Sequence, residues 1–121
     1  MFVVSRHQAE AFRRESILRF TEEMTGHMRA LFAEHVAHLA ERALYQRVQL
    51  CIEKALTHQL FIEGDIQRYL ECCVLLGWDF DVKPETQWAA KILREQGMNG
   101  EVKMDRIEQG LLVHAPRTWG P

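Results

Sequence analysis

Two aspartates flank a phenylalanine shortly after a predicted helix end, and of all the residues in this chain they are the best placed to do chemistry. Asp79 and Asp81 stand on one short segment with Phe80 between them. Two carboxylates on one loop could hold a cation or act as an acid and a base. No third ligand stands at a recognisable spacing, and aspartates between helices commonly accept backbone N–H bonds. We therefore predict that both aspartates accept backbone hydrogen bonds around the turn into the next helix.

Histidine and cysteine offer weaker cues. The spacing of His35 and His38 would place both imidazoles on one helix face, as metal ligands can be, but no third ligand completes a site. Cys51 and the adjacent Cys72 and Cys73 match no C-x-x-C spacing, so we expect buried thiols. Neither a glycine-rich phosphate loop nor a G-x-S-x-G nucleophile motif is present. We expect no metal, no cofactor and no catalytic residue.

Composition narrows the class of protein. The chain has 121 residues, of which 47% are hydrophobic, and this supplies one modest core. Fifteen basic and 17 acidic residues leave a net charge of −2, which argues against general binding to nucleic acid or anionic lipid. No apolar run approaches the roughly 20 residues of a membrane span, and the first residues do not resemble a signal peptide. We expect a soluble cytoplasmic protein whose partner is another protein.

Hydrophobic spacing predicts a long first helix. Ser5 and Gln8 form a plausible capping box, and apolar residues then recur every three or four positions as far as Met24. A glycine within a helix costs only about 1 kcal/mol relative to alanine, so we expect the helix to continue through Gly26. It is predicted to end near residue 33.

Residues 34–40 carry neither a strong apolar stripe nor a clear stop, and we expect a loop within them before four more helices. These helices cover about residues 41–58, 64–76, 84–96 and 101–109. Gly77 follows an apolar run and is predicted to end the helix before it, Gly110 is predicted to close the last helix, and Pro84 suits the first turn of a helix. Residues 1–112 are predicted to form a single helical domain, and residues 113–121 an extended tail.

The predicted fold is all-α, a compact bundle of four to five helices with an extended C-terminal tail. No strand alternation or internal repeat competes with this interpretation. The predicted core consists of apolar residues on the inward helix faces: Phe12, Phe20, Leu44, Val48, Ile52, Ile66, Leu70, Cys73, Trp88 and Ile92.

Several short motifs are distributed along the third and fourth predicted helices and along the first. They are Arg68-Tyr69-Leu70, Leu76-Gly77-Trp78-Asp79-Phe80-Asp81, Pro84, Trp88-Ala89 and Ile92-Leu93, with Phe12, Arg19-Phe20, His27, Arg29 and Phe32 towards the N-terminus. In these residues the chain resembles a family of small bacterial helical proteins encoded in type VI secretion and Rhs effector gene clusters. The likeness covers about residues 5–95. The chain departs from the family at His58-Gln59-Leu60, which lacks the glycine typical of that turn.

The resemblance implies an accessory protein that acts near effector adaptors and spike-tip proteins. We predict a non-enzymatic protein-binding accessory of a type VI secretion effector module, preferably an effector chaperone or co-adaptor. Two alternatives stay open, an immunity protein that neutralises a cognate toxin and a small enzyme that uses Asp79 and Asp81 with a histidine. The predicted protein-binding residues are Trp78, Asp79, Asp81 and Trp119, because tryptophan is common among interface anchors.

Overall fold

The computed structural model describes the backbone of residues 6–114 and the side chains from Arg14 onward. The elements are α1 (Arg6–Leu31), α2 (Ala33–Val36), α3 (Glu41–Thr57), α4 (Glu63–Leu76), a 3-10 turn (Pro84–Thr86), α5 (Gln87–Leu93) and α6 (Gly100–His114). No strand occurs among these residues, so the predicted all-α class is confirmed. None of the described helices combines the length and apolar character needed to cross a membrane.

Helix α4 lies at the centre of the bundle, in contact with α1, α2, α3 and α6. Its buried surface is broad because apolar side chains occupy several of its faces, including Ile66, Tyr69, Leu70 and Cys73. Helices α1 and α3 pack antiparallel, with Arg29 near the end of α1 donating to Glu41 at the start of α3. The core therefore forms around α4, and α3 supports the loop that follows the C-terminal end of α4.

The first helix follows the prediction closely, and the ambiguous segment after it contains both a short helix and a loop. Helix α1 passes through Gly26, confirming that prediction, and ends at Leu31. The loop expected within residues 34–40 is confirmed at residues 37–40, but the sequence did not predict α2, which occupies Ala33–Val36 and buries Val36 completely. The guanidinium of Arg29 donates to the carbonyl oxygens of Val36 at 2.9 Å and Leu39 at 2.8 Å. These bonds tie the short helix and the loop after it to α1.

The last two helices also differ from the predicted boundaries. Helix α5 ends at Leu93, earlier than predicted. The prediction that the final helix closes at Gly110 is wrong, since α6 continues to His114. Val113 and His114 thus lie in the last turn of α6, whereas the sequence assigned them to the tail. Residues 115–121, including Trp119, lie outside the described residues.

Most of the predicted core is buried as expected. The seven confirmed members are Phe20, Leu44, Val48, Ile52, Ile66, Leu70 and Cys73. The prediction was wrong for Trp88 and Ile92, because both are only partly buried and pack against the outside of the core. The side chain of Phe12 lies outside the described part of the structure. Tyr69, which the pattern places on the apolar surface of the third predicted helix, is completely buried, and so is Phe80, which the pattern did not mark.

The turn between α3 and α4 adopts a conformation that favours glycine, although it contains none. Gln59 has a φ of 66°, in the left-handed region. The amide of Leu60 donates to the carbonyl oxygen of Ala55 at 3.0 Å, and that of Gln59 to Leu56 at 3.0 Å. These bonds form a Schellman motif, whose left-handed position is usually glycine. In this turn a left-handed glutamine therefore occupies the position at which glycine is usual.

Candidate functional site

The segment from Gly77 to Lys83, here called the 77–83 loop, joins α4 to the 3-10 turn and carries three of the predicted binding residues. Gly77 has a φ of 120°, which side chains rarely allow. The ammonium of Lys83 folds back and donates to the carbonyl oxygen of Leu76, at the C-terminal end of α4. The hydroxyl of Thr86 donates to the carbonyl oxygen of Phe80 at 2.6 Å. The loop is thus fixed to its own flanking elements at both ends.

Asp81 fixes the middle of the 77–83 loop to α3. Its side chain is only 7% exposed, with Oδ1 3.1 Å from Lys54 Nζ and Oδ2 3.3 Å from His58 Nε2. Burial opposes ionisation of Asp81, but the hydrogen bonds from Lys54 and His58 outweigh it and lower the pKa of this carboxyl. Burial also lowers the pKa of His58, although the neighbouring Asp81 carboxylate acts in the opposite direction. The lowered pKa favours the neutral imidazole. The contact is therefore an ionised carboxylate held by one ammonium and one imidazole N–H.

An aromatic cluster lies beneath this ion pair. The ring of Tyr69 packs between His58, at a centroid distance of 5.8 Å, and Phe80, at 5.1 Å. The Tyr69 hydroxyl is buried and has no hydrogen-bond partner among the described residues. Burial raises the pKa of Tyr69, so its hydroxyl stays protonated. Phe80 and Asp81 thus bring the loop inward at two successive positions, one through packing and one through charge.

Asp79 and Val82 are the exposed residues of the loop, while Trp78 is only partly exposed. Val82 is 69% exposed, Asp79 is exposed, and Trp78 is partly buried with its ring packed against the core. The carbonyl oxygen of Trp78 lies 3.5 Å from the Lys54 ammonium. The loop therefore presents a small, mixed surface of one carboxylate and apolar groups, supported from below by α3.

The two predicted aspartates have different environments. The expectation that both aspartates accept backbone bonds around the next turn is wrong. The Asp81 oxygens accept from Lys54 and His58 instead, and the Asp79 carboxylate accepts no backbone bond among the described residues. Asp79 stays at the surface, where a partner could reach it. Asp81 could contact a partner only if the α3 side chains moved away. The predicted residue Trp119 lies outside the described residues.

Acid-base chemistry would need a cleft beside these groups. Asp81 and His58 do converge, as the enzyme hypothesis required, but Asp79 does not join them. An open groove of about 330 Å³ between α1 and α3 is lined by Ile17, Glu53, Leu56 and Thr57, none of which belongs to the Asp81 cluster. Within the described residues no three His, Cys, Asp or Glu side chains form a metal site. His35 and His38 are both exposed.

A buried lysine, which sequence reasoning missed, joins α6 to the same region. Lys103 is 2% exposed, and its ammonium donates to the carbonyl oxygens of His58 at 3.0 Å and Leu93 at 2.8 Å. Burial lowers the pKa of this lysine. The only sequence feature that could have revealed Lys103 was its position among the apolar residues of a helix. Lys54 and His58 could have been found more easily, since residues four apart lie on the same face of a helix.

Compared with models of protein families, with curated proteins and with solved structures, the chain gives no match in any of the three. The geometry of the described residues is therefore the basis for inferring a function. Its most distinctive feature is an exposed loop that is held in one conformation by buried contacts.

Proposed function

We propose that this chain is a non-enzymatic protein-binding accessory that acts in the bacterial cytoplasm as an effector chaperone or co-adaptor of a type VI secretion module. The single observation that carries the protein-binding part is the anchored 77–83 loop. Asp81 and Phe80 hold it from within, while Asp79 and Val82 are displayed to solvent.

Preorganisation explains why such a loop suits binding. A flexible segment loses conformational freedom when it docks, and this cost subtracts from the affinity. The 77–83 loop has already lost that freedom on folding, because Asp81 and Lys83 make hydrogen bonds to α3 and α4. Val82 supplies apolar contact area and Asp79 a charge that can select a partner of opposite sign.

The secretion setting rests on the sequence resemblance alone. The residues that carry it from Leu76 to Asp81 are largely those of the 77–83 loop. In the structure several of these residues have identifiable roles: Gly77 takes a positive φ, Phe80 fills the core and Asp81 pairs with α3. A family that keeps this pattern would keep the loop conformation, whichever partner each member binds.

An immunity protein is the first alternative, and it would use the same surface. A chaperone or co-adaptor would bind a targeting region of an effector or its adaptor and be required for export. An immunity protein would bind the toxic domain and rescue growth. The enzyme alternative is less favoured, because Asp81 is buried against Lys54 and His58 and Asp79 lies on the outer side of the loop.

The test is affinity capture from the native host with quantitative mass spectrometry. The wild type is compared with an Asp79→Lys, Val82→Ser double variant and with Leu31→Ser, a matched change of an exposed apolar residue at the end of α1. We expect the wild type and Leu31→Ser to enrich a protein encoded in a secretion effector cluster. The loop variant should lose at least about tenfold in affinity, which corresponds to about 1.4 kcal/mol. Equal capture by all three proteins would refute the assigned surface, and a partner unrelated to secretion would refute the setting.

A further inference from the structure

Two buried stripes, one on α1 and one on α3, end at the same place. On α1, Thr21 and Met24 are buried, and Ile17 continues their spacing one turn towards the N-terminus. On α3, Ile52 is 1% exposed and Leu56 follows it one turn later. Ile17 and Leu56 are nevertheless only partly buried. The open groove of about 330 Å³ lies between these two side chains.

The groove has an apolar floor and a polar edge. Ile17 and Leu56 form the floor, whereas Glu53 and Thr57 also line the groove and are exposed. Leu50 precedes Glu53 by one turn on the same face of α3 and is 54% exposed, so it extends the apolar surface beyond the groove. An occupant therefore needs aliphatic side chains for the floor and a polar group for the edge.

The walls of the groove restrict the backbone conformation of an occupant. Both walls are helices, whose backbone N–H and C=O groups bond to one another within each helix. They offer no free edge to which an extended strand could add, and the buried polar backbone of such a strand would stay unpaired. A helix satisfies its own backbone groups, and its side chains can pack between those of α1 and α3. The groove therefore suits an amphipathic helix.

The charge at the edge of the groove is negative. Glu53 carries it and forms no ion pair with another described residue. The ammonium of the adjacent Lys54 lies 3.1 Å from Asp81 Oδ1 instead. Arg14 and Arg19 on α1 are exposed, but neither lines the groove. A basic side chain on the docked helix would thus meet an uncompensated carboxylate.

We propose that the groove binds a basic amphipathic helix of a partner protein. Aliphatic side chains at successive turns of that helix pack on Ile17 and Leu56, and a lysine or arginine beside them pairs with Glu53. This surface is separate from the 77–83 loop, which α3 holds through Lys54 and His58. The groove therefore goes beyond the binding function proposed for the loop, and each surface can be tested without the other.

The test is an NMR titration of the ¹⁵N-labelled full-length chain with a synthetic peptide of leucine and lysine in amphipathic order. A length of about 15 residues allows the peptide to form a helix. We expect the largest shift changes at the backbone amides of residues 17, 53, 56 and 57. A peptide with serine in place of leucine should not bind, since it cannot fill the floor. A peptide with glutamate in place of lysine should bind at least about threefold more weakly.

Charge reversal at the edge provides the matched variants. Glu53→Lys should weaken binding of the basic peptide at least about threefold and strengthen binding of the acidic one. Glu34→Lys changes the net charge equally, but its exposed carboxylate lies in α2, before the opposite end of α3. This control should bind both peptides as the wild type does. The Asp79→Lys, Val82→Ser variant should also bind them normally, so failure of the groove is distinguishable from failure of the loop.

The proposal would be overturned if the largest shift changes fell in the 77–83 loop, or if the basic and acidic peptides bound equally well. Equal effects of Glu53→Lys and Glu34→Lys would overturn it too, because net charge alone would then explain the binding. Two results from the free protein would assign the groove to another occupant. Nuclear Overhauser contacts of Ile17 or Leu56 with Trp119 would identify the C-terminal residues of this chain. Shift changes at the groove on dilution would identify a second copy.

Discussion

Gly110 tests whether packing or intrinsic helix propensity determines which residue is more stable at a position within a helix. It lies inside α6, where alanine would gain about 1 kcal/mol in propensity. A Cβ at this position would stand 2.3 Å from Cζ3 and 2.8 Å from Cε3 of Trp88. The indole of Trp88 stacks on the ring of His114 at a centroid distance of 4.7 Å, which limits its room to move. We therefore predict that Gly110→Ala destabilises the protein.

The magnitude follows from the two opposing effects. Carbon atoms in contact lie about 3.5 to 4.0 Å apart, so the Trp88 ring would have to shift by more than about 1 Å. Overpacking of this kind costs about 1 to 3 kcal/mol. Since the gain in propensity is about 1 kcal/mol, the net change lies between neutral and a loss of about 2 kcal/mol. For a domain of this size, each 1 kcal/mol corresponds to about 4 °C in Tm.

The measurement is urea unfolding followed by circular dichroism, with Gly26→Ala as the matched control. Gly26 also lies within a helix, but a Cβ there would meet no atom within 4 Å. Gly26→Ala should therefore raise the free energy of unfolding by about 1 kcal/mol. If Gly110→Ala stabilised the protein as much as Gly26→Ala, Trp88 would not restrict this position and the reasoning would fail. Combining Gly110→Ala with Trp88→Leu should remove the penalty, as a coupled pair requires.

Three further predictions concern the 77–83 loop and the turn that precedes α4. Asp81→Asn should cost about 1 to 3 kcal/mol in urea unfolding at neutral pH, because Lys54 loses its buried carboxylate. Since the folded state lowers the pKa of Asp81, the stabilisation is present above the ordinary aspartate pKa and is lost as the pH falls through the lowered value. The Asn variant should therefore show a shallower decline in Tm than the wild type below about pH 4. An equal decline in both proteins would contradict the pairing. Phe80→Ala, which empties a fully buried site, should cost about 3 to 5 kcal/mol, and a near-native Tm would place the ring outside the core. Gln59→Gly should leave the free energy of unfolding equal or raised, whereas Gln59→Val should lower it by about 1 to 2 kcal/mol because a β-branched residue resists a φ of 66°. Equal stability of these two variants would disprove the left-handed conformation.

The sequence was a good guide wherever a helix had its own amphipathic pattern. Helix α3 was predicted within one residue at its end, because Leu44, Val48 and Ile52 mark its buried face without ambiguity. Helix α2 was missed, since a single buried valine and the bonds from Arg29 hold it, and neither leaves a local pattern. Gly110 was misread for a related reason. Glycine often ends a helix, but here it makes room for Trp88 from another helix.

The candidate site could be located from the sequence but not described. Two aspartates near a helix end drew attention to the 77–83 loop. Nothing local distinguished Asp81 from Asp79, because the difference depends on Lys54 and His58 in another helix. An ion pair across 23 to 27 sequence positions leaves no periodic signal.

The ammonium of Lys103 has a consequence for the order in which the bundle assembles. It joins carbonyl oxygens at the ends of two different helices, at His58 after α3 and at Leu93 in α5. During synthesis α1 to α4 can collapse together as soon as they are made, whereas these two carbonyls must stay hydrated until residue 103 arrives. Helix α6 is made after α3 and α5, and a chain that stopped before residue 103 would keep water at the junction of these two helices.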